Sequence, residues 1–249
     1  MEGGRILRNS QIIILGICIA VATIVSSVIL SQGFLKIMKF RREQITVTGS
    51  AQKDIKSDSI IWRGAFARRD VDMKVAYTNL RLDLDKVRQY LTSKGITESE
   101  VIISPVTTTT LYKKTAKGTD SNEVEGYRLS QGIEIRSHDV DTLTRVSRES
   151  TELIDQGIQF ESQAPDYFYT KLDELKIEML AKATENAKQR AENMARSTGN
   201  KIGFMRSAKM GVFQITPINS TEVSDWGVND VSSLEKRVTA VVNVSFAIE

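Results

Sequence analysis

Polar and apolar residues alternate along several stretches of the chain, which is typical of half-buried β-strands. In one stretch, Leu129, Ile133 and Ile135 would face a core. Five stretches have this alternation or a β-branched composition: "ITVTGSA" (45–51), "SIIWRGAFAR" (59–68), "VIISPVTTTTLY" (101–112), "GYRLSQGIEIRS" (126–137) and "VTAVVNVSFAI" (238–248). We predict strands there, with the third paired to the fourth and Pro105 at an edge or a bulge.

Three other segments repeat apolar residues at helical spacing, namely 71–94, 139–156 and about 166–198. Each is followed by a glycine, a residue that commonly ends helices. At 1.5 Å per residue the third helix would be about 50 Å long. The order of elements predicts an α+β fold, with antiparallel sheets packed by helices that include one long helix in the C-terminal half.

Two segments between these elements are predicted to be loops. Residues 113–125 are rich in Lys, Gly and Asp and indicate a hairpin loop. Residues 215–233 are mostly polar but include Trp226. Because binding residues concentrate in loops, we expect a partner to contact the chain at Trp226.

The N-terminal part is apolar over the nineteen residues "IIILGICIAVATIVSSVIL" (12–30). As a helix this run would measure about 28 Å, close to the hydrocarbon thickness of a bilayer. It is longer than the ~7–15 apolar residues of a signal peptide, and no small-residue cleavage site follows it. We predict a membrane anchor, with a cleaved signal peptide and a buried core helix as the alternatives.

The anchor defines the domain organisation that we expect. A cytoplasmic N-terminus (1–11) precedes a transmembrane anchor (12–31), a basic juxtamembrane linker (32–44) follows, and an α+β domain (45–249) completes the chain. The residues expected to face lipid include Ile12, Leu15, Val21 and Leu30.

Basic residues flank the anchor on both sides, so the charges leave its orientation open. Arg5 and Arg8 precede it, and four basic residues follow it: Lys36, Lys39, Arg41 and Arg42. The positive-inside rule would therefore place the body in the cytoplasm, but large domains often translocate regardless of charge.

The net charge of +3 belongs to the N-terminal segment. Residues 1–40 hold four basic residues and one acidic residue, and the rest of the chain has 30 of each. A neutral body has no field that would attract a polyanion, so we expect no nucleic-acid partner.

The chain offers little catalytic chemistry. Cys18 is its only cysteine and His138 its only histidine, which excludes a disulfide and histidine-rich or thiolate zinc sites. No Gly-rich phosphate loop or nucleophile elbow is present. We expect no catalytic residue, no cofactor and no metal.

Some charged residues have two interpretations. The carboxylate pairs Asp83 with Asp85 and Asp139 with Asp141 could bind a metal or act as acid and base, but an interaction with the helix dipole or a solvated helix face explains them more simply. The arginine cluster could contact lipid headgroups or an acidic partner, or form a solvated strand face; it comprises Arg63, Arg68 and Arg69.

Alanine recurs at every fourth position of the third helix. This alanine stripe comprises Ala183, Ala187, Ala191 and Ala195. Small side chains allow close packing, either on the chain's own sheet or on another subunit. In the second case the stripe would mediate assembly.

Four motifs in order resemble the SIMPL-domain (DUF541) family, which includes bacterial periplasmic and outer-membrane-associated immunogenic proteins. They are the opening "ITVTGSA", the strand "GYRLSQGIEI" leading to a helix that ends "LIDQGI", the alanine-spaced "LKIEMLAKATENAKQRAENMARSTGNKIG", and the closing "VTAVVNVSFAI". The resemblance covers residues 45–248, and the alanine-spaced motif is its most specific part.

The resemblance implies an α+β body exported across the bacterial inner membrane, homo-oligomerisation, and a role at the cell envelope that is sometimes linked to oxidative stress. It supplies no catalytic residues. We therefore expect an inner-membrane, single-pass protein with a periplasmic body, which is not an enzyme and acts by self-association or by binding an envelope partner. The alternatives are a small-ligand or stress-sensing module with a pocket near residues 215–233, and an enzyme using His138.

Overall fold

A computed structural model describes residues 3–116 and 118–249, with side chains for 14–35, 43–116 and 118–249. The helices in this part of the chain are α1 (Gly3–Arg42), α2 (Met73–Ser93), α3 (Val140–Glu149), α4 (Glu152–Asp155) and α5 (Leu172–Ser197). The strands are β1 (Gln44–Lys56), β2 (Ser59–Asp70), β3 (Val101–Ile103), β4 (Thr107–Lys114), β5 (Asp120–Ser137), β6 (Gln159–Ser162), β7 (Asp166–Phe168), β8 (Ile202–Met210), β9 (Gln214–Pro217), β10 (Val228–Asn229) and β11 (Glu235–Ile248).

The chain divides into two compact units. The first comprises residues 1–50, 183–210 and 242–249, and the second comprises residues 51–182 and 211–241. Strands β1 and β11 and helix α5 each contribute residues to both units.

A six-stranded antiparallel sheet forms the core of the second unit. Its order is β3-β5-β2-β6, with β4 also paired to β5 and β7 to β2. Trp62 and Ile135 are paired across β2 and β5 and are fully buried, together with Leu80 of α2 and Leu143 of α3. The predicted inward residues of β5 are buried, and the predicted pairing of the 101–112 segment with β5 is confirmed. The predicted α+β class is confirmed.

Helix α2 has the ends that its sequence predicts. The Asp72 side chain accepts a hydrogen bond from the Lys74 amide at 2.7 Å, which caps the first turn. Gly95 follows the helix with a φ of +91°, a conformation that favours glycine.

The helix predicted over 139–156 is two helices, α3 and α4. The Ser147 and Ser150 hydroxyls donate to the carbonyls of Thr144 and Ser147, each at 2.8 Å. Such hydroxyl contacts compete with the backbone ladder of a helix, and the break follows directly after them.

The helix predicted from about 166 begins at Leu172 instead, so α5 has 26 residues and a length of about 39 Å. The preceding residues form β7, in which Tyr167 pairs with Ile60 of β2 and is only 8% exposed. Burial of this tyrosine in the sheet outweighs local helix propensity. The helix is long, but shorter than predicted.

The five-stranded sheet has the order β1-β11-β9-β10, with β8 also paired to β11. Strand β11 is antiparallel to β8 and β9, and β10 is parallel to β9. The alternation of the last strand predicts one inward face, and five residues of that face are buried, whereas Ile248 is half-buried; the five are Val238, Ala240, Val242, Val244 and Phe246.

Both predicted loops are shorter than expected. In the 113–125 segment, β4 continues to Lys114 and β5 begins at Asp120. In the 215–233 segment, β9 extends to Pro217 and β10 pairs with it.

Helix α1 ends at Arg42 and β1 begins at Gln44, so only Glu43 lies between them. The backbone of the predicted juxtamembrane linker (32–44) is therefore helical up to Arg42. The boundaries of the anchor and the linker stay predictions.

Candidate interaction surfaces

Helix α1 contains a segment that is long and apolar enough to cross a membrane. This segment, Ile14–Leu35, has 22 residues with a mean hydropathy of 2.5, and none of it is buried. Leu15, Val21 and Leu30 are all more than half exposed, whereas the side chain of Ile12 lies outside the described residues. The exposure argues against the buried core helix, and both a membrane anchor and a signal peptide share these properties.

The alanine stripe is buried in the single chain. Ala183, Ala187 and Ala191 are fully buried, and Ala195 is 3% exposed. In the first unit, a Cβ placed on Gly49 of β1 would lie 2.6 Å from the Ala187 Cβ, so strand and helix are in close contact. The chain's own sheet therefore covers the stripe, which is the first of its two interpretations.

The tryptophan loop, residues 218–227 of the second unit, presents large apolar side chains to solvent. Trp226 is 94% exposed and Val223 is 78% exposed, whereas Trp62 in the core is fully buried. Tryptophan is among the most buried residues on average, so this exposure marks a candidate contact surface.

Gln214 of β9 holds the tryptophan loop in one conformation. Its side chain is 7% exposed, its Nε2 donates to the Ser224 carbonyl at 2.6 Å, and its Oε1 accepts from the Val228 amide at 2.9 Å. Gly227 adopts a φ of +87°, which closes the turn. The loop is thus ordered without any contribution from burial of Trp226.

A second candidate surface is an apolar cavity of about 470 Å³ between α2 and the edge strand β3. Leu91 and Ile96 lie at its base and are 1% and 4% exposed, and Val101 and Ile103 of β3 also line it. Its volume falls in the range of small-ligand pockets, about 300–1,000 Å³.

Arg88 and Glu98 lie at the mouth of the cavity. The Arg88 Nη2 and the Glu98 Oε1 are 3.7 Å apart, and their side chains are 46% and 81% exposed. A pair this long and this solvated contributes little energy, so Arg88 can exchange partners at low cost.

The pocket expected near residues 215–233 is much smaller. A cavity of about 80 Å³ is lined by Ile215, Asn229 and Lys236 among others. It has room for water but not for a ligand of drug size.

His138 and the nearby carboxylates have structural contacts. The His138 Nδ1 lies 3.0 Å from the carbonyl oxygen of Asp58, which can only accept, so Nδ1 carries the proton. Asp139 accepts from the Thr142 amide at 3.0 Å and caps α3, and this amide lowers the pKa of Asp139. Asp141 pairs with Lys56.

The other candidate carboxylates do not form a pair. Asp83 is 1% exposed and its carboxylate accepts two hydrogen bonds from Arg68, which raise the pKa of that guanidinium, whereas Asp85 is exposed to solvent. Within the described residues, no group of three His, Cys, Asp or Glu side chains is arranged to hold a metal ion.

Each arginine of the cluster forms ion pairs with its own acidic partners. Arg63 donates to Glu134 and Asp166, each at 2.7 Å, and Arg69 pairs with Glu125 at 2.8 Å. Arg68 is on the opposite face of β2 and pairs with Asp83, so the three do not form one cationic surface.

Lys236 is a buried charge that the sequence reasoning missed. It is 3% exposed, and its ammonium donates to the carbonyls of Tyr167 at 2.6 Å and Asp230 at 2.5 Å. Burial lowers the pKa of Lys236. The alternation along β11 could have predicted this burial. Lys236 is two positions before Val238 and four before Ala240, so its side chain lies on the same inward face.

Together these features define an α+β domain with one exposed apolar helix, an ordered tryptophan loop and an apolar cavity. A family model for SIMPL, described as a protein of unknown function (DUF541), matches residues 45–246. The chain therefore belongs to the SIMPL family, as the four motifs predict.

No curated protein matches the chain. Among solved structures, the de novo designed protein Foldit4 is 16% identical, with a TM-score of 0.21, and the match covers 42% of this chain and 93% of the design. An amidase of the hydantoinase/carbamoylase family from Burkholderia phymatum is 11% identical, with a TM-score of 0.25, over 53% of this chain and 33% of the amidase. Likeness at these TM-scores supports no functional argument.

Proposed function

We propose that this SIMPL-domain protein is a single-pass protein of the bacterial inner membrane whose body lies on the periplasmic side. It is not an enzyme, and it acts at the cell envelope by self-association or by binding an envelope partner, in a stress response. The observation that best supports this role is the tryptophan loop, in which Gln214 hydrogen-bonds the backbone while Trp226 is 94% exposed to solvent.

Two further observations agree with a role in binding. The described ionisable groups that were candidates for catalysis, including His138, Asp83 and Asp139, are engaged in caps and ion pairs. The apolar segment of α1 has the length of a bilayer core and no buried residue, which supports an anchor.

Self-association is tested on the full-length protein in detergent micelles, by light scattering and by chemical crosslinking over a range of concentrations. We expect a mass above that of one copy that grows with concentration. A single copy at every concentration, together with no crosslinked product in membranes, would contradict self-association and leave only the envelope-partner form of the proposal.

Localisation is tested by cysteine labelling, because Cys18 is the only native cysteine. In a Cys18→Ser background, Ser224→Cys reports on the body and Ser10→Cys on the other side of the anchor. We expect a membrane-impermeant maleimide to label only the cysteine at 224 in spheroplasts. Labelling of position 10 alone would place the body in the cytoplasm, and release of a shortened chain would indicate a cleaved signal peptide.

A second candidate function is the binding of a small ligand, and the apolar cavity favours it. Small apolar molecules would then raise the melting temperature of the full-length protein. The variant Val101→Phe, which places a larger side chain at the cavity, should abolish the shift. A screen without any stabilising compound would count against this candidate.

A further inference from the structure

The tryptophan loop and the apolar cavity have complementary properties but do not meet within one chain. Trp226 is 94% exposed, so it does not occupy the cavity of its own copy. An indole is a large, flat apolar group with few rotatable bonds, and such groups bind best in desolvated aliphatic pockets. The cavity, based on Leu91 and Ile96, is a pocket of this kind.

The loop is also pre-organised for insertion. Gln214 fixes its backbone through Ser224 and Val228 before any partner binds. Because the loop is already ordered, binding would cost less conformational entropy than it would for a flexible segment.

The tryptophan loop is acidic, and the lining of the cavity includes one arginine, Arg88, beside Glu98. Residues 211–235 contain no lysine or arginine, and Glu222 and Asp225 flank the exposed Val223 and Trp226. Among the described residues, Arg88 of the cavity lining pairs with Glu98 at 3.7 Å, and both side chains are largely exposed. Its guanidinium is free to pair with a carboxylate next to the inserted indole and to stack on its ring.

We propose that the tryptophan loop of one copy inserts Trp226 into the apolar cavity of a second copy, with Asp225 facing Arg88. The inference rests on the proposed self-association and names the surfaces that produce it. The two surfaces are different parts of the second unit. Two copies could therefore exchange their loops reciprocally in a two-fold dimer, or bind head-to-tail in a ring or an open chain.

The first test compares variants of the full-length protein in detergent micelles by light scattering. Trp226→Ala should weaken association roughly 30-fold, as expected for a central tryptophan. Val101→Phe, and Thr92→Phe as a second variant in case the first does not fold, should weaken it by blocking the cavity. Val71→Ala, which shortens an apolar side chain that is 78% exposed and lies outside the loop, should have no effect.

Mixing the variants tests whether the loop of one copy contacts the cavity of another. A Trp226→Ala copy keeps an open cavity, and a Val101→Phe copy keeps its tryptophan, so an equal mixture can form one intact contact. We expect the mixture to give pairs of copies and no larger species, although neither variant associates alone. Failure of the mixture to associate would overturn the proposal.

Charge reversal tests the contact between Arg88 and Asp225. Arg88→Asp and Asp225→Arg should each weaken association about 10-fold, and the double variant should recover most of the loss. Fluorescence supplies an independent readout, because Trp62 is buried and Trp226 exposed. The emission of Trp226 should shift to shorter wavelength as concentration rises.

The outcomes separate this inference from the proposed function. If the wild-type protein associates and Trp226→Ala associates equally well, the inference is wrong and self-association stands. If blocking the cavity weakens association but Trp226→Ala does not, another segment fills the cavity and the inference is again wrong. If the wild-type protein does not associate at any concentration, the inference and the proposed self-association both fail, and only the envelope-partner form of the proposed function remains.

Discussion

A Cβ placed on Gly49 of β1 would lie 2.2 Å from the carbonyl oxygen of Ala183 on α5 and 2.5 Å from the Ala187 amide nitrogen. Both neighbours are backbone atoms and cannot rotate away. Strand and helix are therefore in backbone contact in the first unit. The alanine stripe permits this contact because a larger side chain at 183 or 187 would hold the helix away from the strand.

The variant Gly49→Ala should destabilise the protein by about 3 kcal/mol, since a methyl group there requires the helix to move. The free energy of unfolding is measured by chemical denaturation of the full-length protein in detergent. The matched control is Gly132→Ala, whose Cβ would come nearest to the Ser104 hydroxyl, at 3.3 Å, and would meet the Gly64 carbonyl oxygen only at 3.8 Å. We expect the control to differ from wild type by less than about 1 kcal/mol. Equal effects of the two substitutions would contradict the close contact.

The ion pair between Arg68 and Asp83 anchors α2 to β2. Asp83→Ala should cost about 3 kcal/mol in the free energy of unfolding, because the partly buried guanidinium loses the two hydrogen bonds that it gives to the carboxylate. The double variant Arg68→Met with Asp83→Leu removes both charges and should be more stable than Asp83→Ala alone. A double variant that is no more stable than the single variant would show that the charge pair itself is needed.

Lys236 should make stability depend on pH in the alkaline range. Burial lowers its pKa below the ordinary 10.5, so between the two values the unfolded chain binds more protons than the folded chain. Stability attributable to Lys236 therefore rises as the pH increases from the lowered pKa toward 10.5.

The measurement is the free energy of unfolding of wild type and of Lys236→Met between about pH 8 and about pH 10.5. The free energy of unfolding of wild type, relative to that of Lys236→Met, should increase with pH. Lys86→Met, at an exposed position, serves as the control for the loss of a lysine side chain. A difference that is constant across this range would contradict the lowered pKa.

Glu178 on α5 should titrate far below an ordinary glutamate. Lys182 and Lys53 donate to its carboxylate and hold its pKa at about 2, against an ordinary 4.5. The stability that this lowered pKa supplies is present above 4.5 and is lost as the pH falls toward 2. A carbon-detected NMR titration gives the pKa directly. Lys182→Met should raise it, and Lys176→Met, which removes the partner of Asp173, should not.

Gln214→Ala should destabilise the protein by about 2 kcal/mol, because the Ser224 carbonyl and the Val228 amide lose a partner in a part-buried site. Hydrogen exchange of residues 218–228 should become faster, while the core around Trp62 stays protected. Gln131→Ala serves as the control, because Gln131 makes a single exposed contact with the Ser104 carbonyl. Unchanged exchange in the tryptophan loop would show that Gln214 does not order it.

Much of the fold was predictable because local pattern and burial agree along most of the chain. The inward residues of β5 and β11 follow a strict period of two, and α2 has a cap at Asp72 and a stop at Gly95. The errors occur where distant contacts override local preference. Asp166–Phe168 pairs with β2 as a strand because Tyr167 is buried there. The short segment has no pattern of its own that would distinguish this strand from the start of the following helix.

The candidate surfaces were predictable only in part. The polar composition around Trp226 predicted a contact segment. The cavity, in contrast, depends on how the end of α2 packs beside β3, and no short sequence motif predicts that packing. Gln214 looks like an ordinary strand residue in the sequence. Its role depends on two backbone groups ten and fourteen positions further along the chain.

A single residue, Glu43, separates the end of α1 from the first strand of the domain. The helix continues for seven residues, or about 10 Å, past the apolar segment that ends at Leu35. In the proposed anchored protein, this helical spacer would replace a flexible tether between the bilayer and the first strand. The first strand would then start about 10 Å from the apolar segment, and the partners within its reach would be molecules close to the same bilayer.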